Sequence, residues 1–473
     1  MKILNSLALV GMILVMIAGS VMAGKQRKLR PGTYISSAKI EILGYADSKD
    51  TARIDLAQAL LDSLFMYYGP HSEGLYWYSQ IQWDLAKEKA DLKEKLPFVK
   101  RAVALADSLK WTCGNKDVNK KYRKKCEDLD EQMDSLRVLK WREFYNDGVE
   151  QISEVEELME AVREETDSAS LAYYQTRMDA LVDSCQDRMT LAIAIDSNDA
   201  KPFIGLASVN EKIGNFENAI KYLKQAVPKS DDTCSMKVEV AYDFIRMDDY
   251  CGAIPWFQEY VDCMSSREEV MQDPKNREAV ISTAHNLASC YNNCKQYESA
   301  YAVFGQILTW DPVSVKALQG AGRYQQYRGR EASDSASAYR ETDEAMSTVW
   351  QEVRNMRFDS SIVFLAQAFE LSPDDADLAA EYGLMLAIRQ RFEEAQVGFA
   401  RACELKPEDV DYWVSLGDCN LQLHKWEAAA EAYEHVVELK PDNKTVWERL
   451  ADLYQQLDNK ARRAEVLEKL KTM

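Results

Sequence analysis

Prolines return at a fixed interval near the end of this chain: Pro373, Pro407 and Pro441 stand 34 residues apart. A proline cannot continue a helix, because its ring fixes φ and removes the N–H. Equal spacing of such stops therefore marks out equal structural units. Between Pro407 and Pro441 stand Trp413, Leu416, Gly417, Ala429 and Tyr433. Trp413 and Leu416 are i and i+3, and so share one face of a first helix. Gly417 and Ala429 are small enough to let two antiparallel helices approach closely. Tyr433 packs back between them, and Pro441 ends the second helix. One such pair cannot bury its own apolar face, so neighbouring pairs must stack on it.

Counted from Val410, those residues fall at positions 4, 7, 8, 20 and 24, with Pro441 at position 32. In this spacing the stretch resembles the tetratricopeptide repeat (TPR) family. One departure is Asn420, where the family pattern has Tyr. The repeat from Ala376 matches at Gly383, Ala395, Phe399, Ala402 and Pro407. The repeat from Lys444 matches at Trp447, Leu450, Ala451 and Tyr454, with its second helix shifted to Ala464. Upstream, Phe203, Leu206, Ala207, Ala219, Leu223 and Ala226 hold the same register from Ala200. Ala241, Phe244, Ala253 and Phe257 fit from Cys234, and Leu287, Ala288, Tyr291, Ala300, Phe304 and Pro312 from Ile281. The resemblance implies an all-α chain, a right-handed superhelical solenoid of antiparallel helix pairs.

Taken in order, residues 1–23 read as a secretory signal peptide: an apolar run from Ile3 to Ala18, then small residues ending at Ala23. An uncleaved anchor over residues 3–23 is the alternative. Lys25, Arg27, Lys28 and Arg30 follow that run, and positive charge favours the cytoplasmic side. Residues 24–33 read as a linker, and 34–199 as divergent helical-hairpin repeats, interrupted at 111–138 by a basic stretch from Lys116 to Lys125. Apart from Tyr122 that stretch lacks aromatic or glycine-rich company and reads as a solvated face. TPR repeats occupy 200–312, a repeat with an inserted segment 329–356 occupies 313–373, and three C-terminal repeats fill 374–473. Such insertions map to one face of a solenoid, often the binding face. A plain helical excursion is the other reading.

A net charge of −19 argues against general nucleic-acid binding, which depends on neutralising phosphates with basic side chains. The four histidines, His71, His285, His424 and His435, share no metal-ligand spacing and read as solvated side chains. No glycine-rich phosphate loop and no G-x-S-x-G elbow occurs in the sequence. The expectation is a non-catalytic protein without cofactor or metal.

Ten cysteines include no C-x-x-C. The repeat register that the resemblance supplies places Cys234 and Cys263 at one end of a helix pair, and Cys251 and Cys294 at facing ends of successive repeats. Both couples are expected disulfides, and Cys113 with Cys126 is a third that closes the basic stretch. In a reducing compartment all ten are instead small core residues.

In the family, first-helix positions 2, 5, 6, 9, 12 and 13 line the concave surface. Here this implies a partner groove that includes His285, Ser289 and Asn292, then Asp411, Ser415, Asp418 and Gln422, then Glu448, Asp452 and Gln455. Some relatives grip a peptide carboxylate with Lys and Asn at positions 5 and 9. Val414 with Asp418, and Glu448 with Asp452, stand there instead, so that clamp is not implied. A polar, locally acidic groove favours basic or neutral extended segments. The functional expectation is an exported scaffold for protein or peptide partners in the periplasm or cell envelope, touching membrane only if the N-terminal segment stays uncleaved. A self-associating surface protein is the second reading. A TPR-bearing enzyme with its catalytic region before residue 200 is the third.

Overall fold

The computed structural model describes residues 29–115 and 120–473. The signal-like segment and half of the expected linker, residues 24–28, lie outside the described residues. Among those described there is no strand, and no helix is long and apolar enough to cross a membrane. The chain divides into two compact units, the first ending at Met247 and the second running from Asp248 to Met473.

The first unit opens with α1 (Pro31–Ser48) and α2 (Thr51–Tyr68), so helix begins inside the stretch read as a linker. Pro31 suits a first helical turn, where its missing N–H loses no bond. Next come α3 (Ser72–Glu88) and α4 (Leu92–Gly114). Asp50 and Asp91 cap α2 and α4 by accepting from backbone N–H groups. Ile35, Ala38, Ile42, Leu61, Leu64 and Ile81 form the core that α1, α2 and α3 share.

The expected interruption at 111–138 gives way to a longer element. α5 runs unbroken over Lys120–Glu164, 45 residues, and pairs with α6 (Ser168–Ile195). At 1.5 Å per residue α5 is about 68 Å long, enough to serve two layers. Phe144 on α5 and Leu191 on α6 pack with Trp83 of α3 and Val99 of α4. Val155, Val182 and Met189 pack with Leu206 and Val209 of α7 (Lys201–Lys212). α8 (Phe216–Ala226) and α9 (Thr233–Arg246) complete the unit.

The second unit holds α10 (Tyr250–Ser265), the short α11 (Glu268–Gln272), α12 (Pro274–Asn293) and α13 (Tyr297–Trp310). α14 (Val315–Tyr339) and α15 (Glu344–Leu371) follow. Segment 329–356 is therefore no loop. It lengthens both helices of one pair and folds over at residues 340–343. Three regular pairs close the chain: α16 (Ala376–Ile388) with α17 (Phe392–Leu405), α18 (Val410–Gln422) with α19 (Trp426–Leu439), and α20 (Lys444–Gln456) with α21 (Lys460–Lys471).

The same turn recurs between partners. Position 15 of the repeat has left-handed backbone at Gly214, Lys295, Gln390, His424 and Asp458. The next N–H reaches back five residues, as in Arg391 to Leu386 (2.9 Å), Lys425 to Asn420 (2.9 Å) and Asn459 to Tyr454 (2.8 Å). This is the Schellman closure, which satisfies carbonyls a helix end leaves open. Gly417 earns its place by contact: a Cβ there would sit 2.5 Å from Cε1 of Tyr433, which is fully buried. Trp413, expected in the core, is only half-buried. Its Nε1 donates to the Pro407 carbonyl (2.9 Å), and its ring stacks on His435 at 4.2 Å.

Candidate first-helix groove

The candidate partner surface belongs to the second unit and is built by α12, α14, α16, α18 and α20. Each is a first helix whose inner face is spent on its own pair, leaving positions 2, 5, 6, 9, 12 and 13 at least partly exposed except for the buried Gln326 of α14. Three of the residues expected from sequence come together. His285, Ser289 and Asn292 of α12 line a cavity of about 460 Å³ whose other wall is α14. Its floor depends on a missing side chain: a Cβ on Gly320 would lie 2.4 Å from the Phe304 ring, so that ring rests against bare backbone. Stacked rings of Tyr301 and Tyr324 (4.3 Å), and tilted rings of Tyr297 and Tyr327 (4.4 Å), join α13 to α14 beside it.

His285 is half-buried rather than solvated, with Nε2 3.2 Å from Ser314 Oγ. Burial lowers its pKa, nearby Lys316 lowers it further, and Asp311 opposes both more weakly. The ring is neutral at pH 7 and serves as a hydrogen-bonding wall. Lys316 of α14 is then the cation that faces this cavity. Arg323 is occupied: it grips Glu381 of α16 through Nε (3.0 Å) and Nη2 (2.9 Å), while Gln319 and Gln326 each donate to the same carboxylate at 3.0 Å. Sequence reasoning passed over Lys316, Arg323 and the tyrosines. The sequence places a first helix over Val315–Tyr327, but groove positions were counted only in the repeats from Ile281, Val410 and Lys444; Lys316 and Arg323 stand at positions 2 and 9 counted from Val315.

The remaining expected residues lie on α18 and α20, outside that cavity. Asp411, Gln422, Glu448, Asp452 and Gln455 are exposed. Asp418 is already engaged, accepting from the Tyr433 hydroxyl and paired with Arg449. Ser415 Oγ donates to the Asp411 carbonyl (2.8 Å). Between the two ends, Leu384 and Ile388 on α16 expose apolar side chains at positions 9 and 13. The face thus runs from a polar cavity bearing Lys316, past an apolar step, to the exposed carboxylates of Asp411, Glu448 and Asp452. No group of three or more His, Cys, Asp or Glu among the described residues is placed to hold a metal.

Cysteine geometry bears on the setting of this face. Cys113 is bonded to Cys126 (Cα–Cα 5.5 Å) and Cys251 to Cys294 (Cα–Cα 5.8 Å). Cys234 and Cys263 are disulfide-bonded as well. Cys185, Cys290, Cys403 and Cys419 are free and buried, and burial pushes their thiols up, which leaves them inert.

The tetratricopeptide repeat family model matches residues 200–227, 281–314 and 410–443. No curated protein matches the chain. Among solved structures it is similar to the C-terminal part of a TPR repeat-containing protein from Cytophaga hutchinsonii, at 13% identity over 56% of this chain and 92% of that one, with TM-score 0.39. MamA from Desulfovibrio magneticus is similar at 18% identity over 45% of this chain and 97% of that one, with TM-score 0.33. YrrB, described as a TPR protein with an unusual peptide-binding site, is similar at 15% identity over 55% of this chain and 96% of that one, with TM-score 0.28.

Proposed function

We propose that this chain, a tetratricopeptide-repeat protein and so a scaffold for protein interaction, takes an extended peptide segment along the first-helix face of its second unit. The observation that carries the reading is the polarity of that face. Lys316 and neutral donors line the cavity between α12 and α14, Leu384 and Ile388 follow, and Asp411, Glu448 and Asp452 lie beyond. A segment with a polar or acidic end, an apolar middle and a basic end complements all three. Charge placed this way sets register and encounter rate more than affinity. The role is non-catalytic. Segment binding is tested with a photocrosslinking side chain at Ser289 in one variant and at Asp452 in another. Both should capture the same partner at opposite ends of one segment. Capture of unrelated proteins at the two sites would defeat the reading.

The protein is further proposed to be exported and to work in the periplasm or cell envelope. Six disulfide-bonded cysteines support this, because such bonds persist in oxidising compartments. The apolar run at Ile3–Ala18 supports it independently. Mass spectrometry of the native protein should find Gly24 at its N-terminus and no free thiol at Cys113, Cys126, Cys251 or Cys294. Free thiols there would defeat export, whatever the N-terminus.

A further inference from the structure

α15 carries two apolar faces, and only one is used. Ser347, Phe358, Ser361, Ile362, Leu365 and Ala368 are buried in its own unit. On the opposite side Met346, Val349, Met356 and Val363 are 37%, 49%, 56% and 57% exposed, with Val353 half-buried among them. Their spacing, 346, 349, 353, 356, 360 and 363, alternates three and four and is broken only by the small Ser360. That is the seam of a two-helix coiled coil rather than scattered surface apolarity. Counted back from Pro441 as α15 is from Pro373, the equivalent outward positions of α19 are Ala428 and Glu431. Glu431 thus meets water where α15 exposes Val363.

We infer that the outer face of α15 is a self-association surface, on which α15 of a second copy lies parallel to it about a two-fold axis. Charge selects the occupant and its direction. Glu352 borders one side of the seam and Arg357 the other. Parallel pairing brings Glu352 of each copy to Arg357 of the other, forming the contact twice. Antiparallel pairing sets Glu352 against Asp359, which is repulsive. Arg357 already donates to Gln325 Oε1 at 3.1 Å, which fixes the guanidinium on the rim, and it has further N–H groups to offer. The acidic border and the net charge of −19 speak against an anionic membrane as occupant.

The seam is about 26 Å long at the α-helical rise. A helix pair of that length falls short of the roughly 800 Å² per partner typical of stable complexes. The dimer is accordingly weak and concentration-dependent, and independent of any groove ligand. Sedimentation of the full chain should show mass rising from 54.0 kDa toward twice that as concentration increases. The double variant Val349→Glu, Met356→Glu should weaken association by at least about tenfold with an unchanged circular dichroism spectrum. Glu352→Arg should weaken it less, and adding Arg357→Glu should restore it. A chain monomeric throughout, or association unaffected by the double glutamate variant, overturns the proposal. Val363→Cys decides direction: oxidative crosslinking between copies is expected only in the parallel arrangement, and a dimer that refuses it overturns that arrangement.

Discussion

The helices between Pro31 and Ile195 and those between Ala376 and Lys471 solve one packing problem at different lengths. In the C-terminal region every helix has 12 to 14 residues. Asp375, Asp409 and Asn443 cap the first helices, and left-handed Gln390, His424 and Asp458 end them, all 34 residues apart. In the N-terminal region the described helices run from 17 to 45 residues, and the 20-residue interval between the helix ends at Lys49, Gly69 and Lys89 is not kept beyond α3. α5 and α6 each serve two core layers. Period thus comes from turns and caps rather than from the cores, because both regions form buried cores without sharing a period. The α14–α15 hairpin makes the same point inside the regular unit. At Gly329, position 15 counted from Val315, helix continues where every other matched repeat turns.

This contrast can be broken most sharply at Tyr433. It is fully buried against Gly417, so Tyr433→Ala should cost roughly 3–5 kcal/mol, read by chemical denaturation. A stack of short repeats transmits damage to its neighbours, and hydrogen exchange should rise first in α18 to α21. Trp413→Ala, at a half-buried ring, should cost about 1–2 kcal/mol, below the range for a core aromatic. Equal losses at the two sites would mean that the repeat motif, not burial, sets the cost.

The disulfides compare the units next. Cys251–Cys294 spans 43 residues and Cys113–Cys126 spans 13. In the chain-entropy model the longer loop is worth about 4 kcal/mol and the shorter about 3 kcal/mol. Replacing each pair by serine should therefore destabilise the second unit more than the first, as read by thermal melts of the two double variants. The reverse order would place native strain in the longer bridge.

Asp243 sharpens the comparison through pH. It is fully buried on α9, hydrogen-bonded to Arg246 at 2.5 Å, and burial together with Glu211 pushes its carboxyl up to about 6. The folded value lies above the unfolded one, so folding favours the protonated form. The stability this contributes is complete below the unfolded value of about 3.9 and is lost as pH rises through about 6. Asp243→Asn should stabilise the first unit at pH 7 by roughly 1–3 kcal/mol, with the gain vanishing near pH 4. A gain that persists at low pH would assign the effect to packing.

The smallest effect is expected at a turn. Lys295 has φ 58°, a conformation that costs a side-chain-bearing residue roughly 1 kcal/mol. Lys295→Gly should raise stability by about 0.5–1 kcal/mol, because glycine occupies that region without penalty. No change would show that the turn relaxes around the lysine.

Much of the candidate groove was legible wherever the register was unbroken. His285, Ser289 and Asn292 were placed by counting from Ile281, and they line one cavity. Lys316 and Arg323 were missed because the groove count was not extended to the repeat from Val315. The engagement of Asp418 was also hidden, since its partner Arg449 lies on a different first helix, 31 residues on.

Residue identity alone determined the helical class, the 34-residue unit, and the small residues that let helices touch, because these rest on local sterics and on spacing along one chain. Nothing in Lys295, Gln390, His424 or Asp458 announces a left-handed backbone. Stacked repeats impose it, since only that turn lets the second helix reverse onto the first. Nor does composition separate Trp413 from Tyr433. Both are aromatic and both fit the repeat, yet the packing of α19 against α18 encloses one ring and leaves the other leaning on His435 at the surface. Burial is a property of the neighbours a side chain acquires, and for a stacked fold those neighbours arrive with the next repeat.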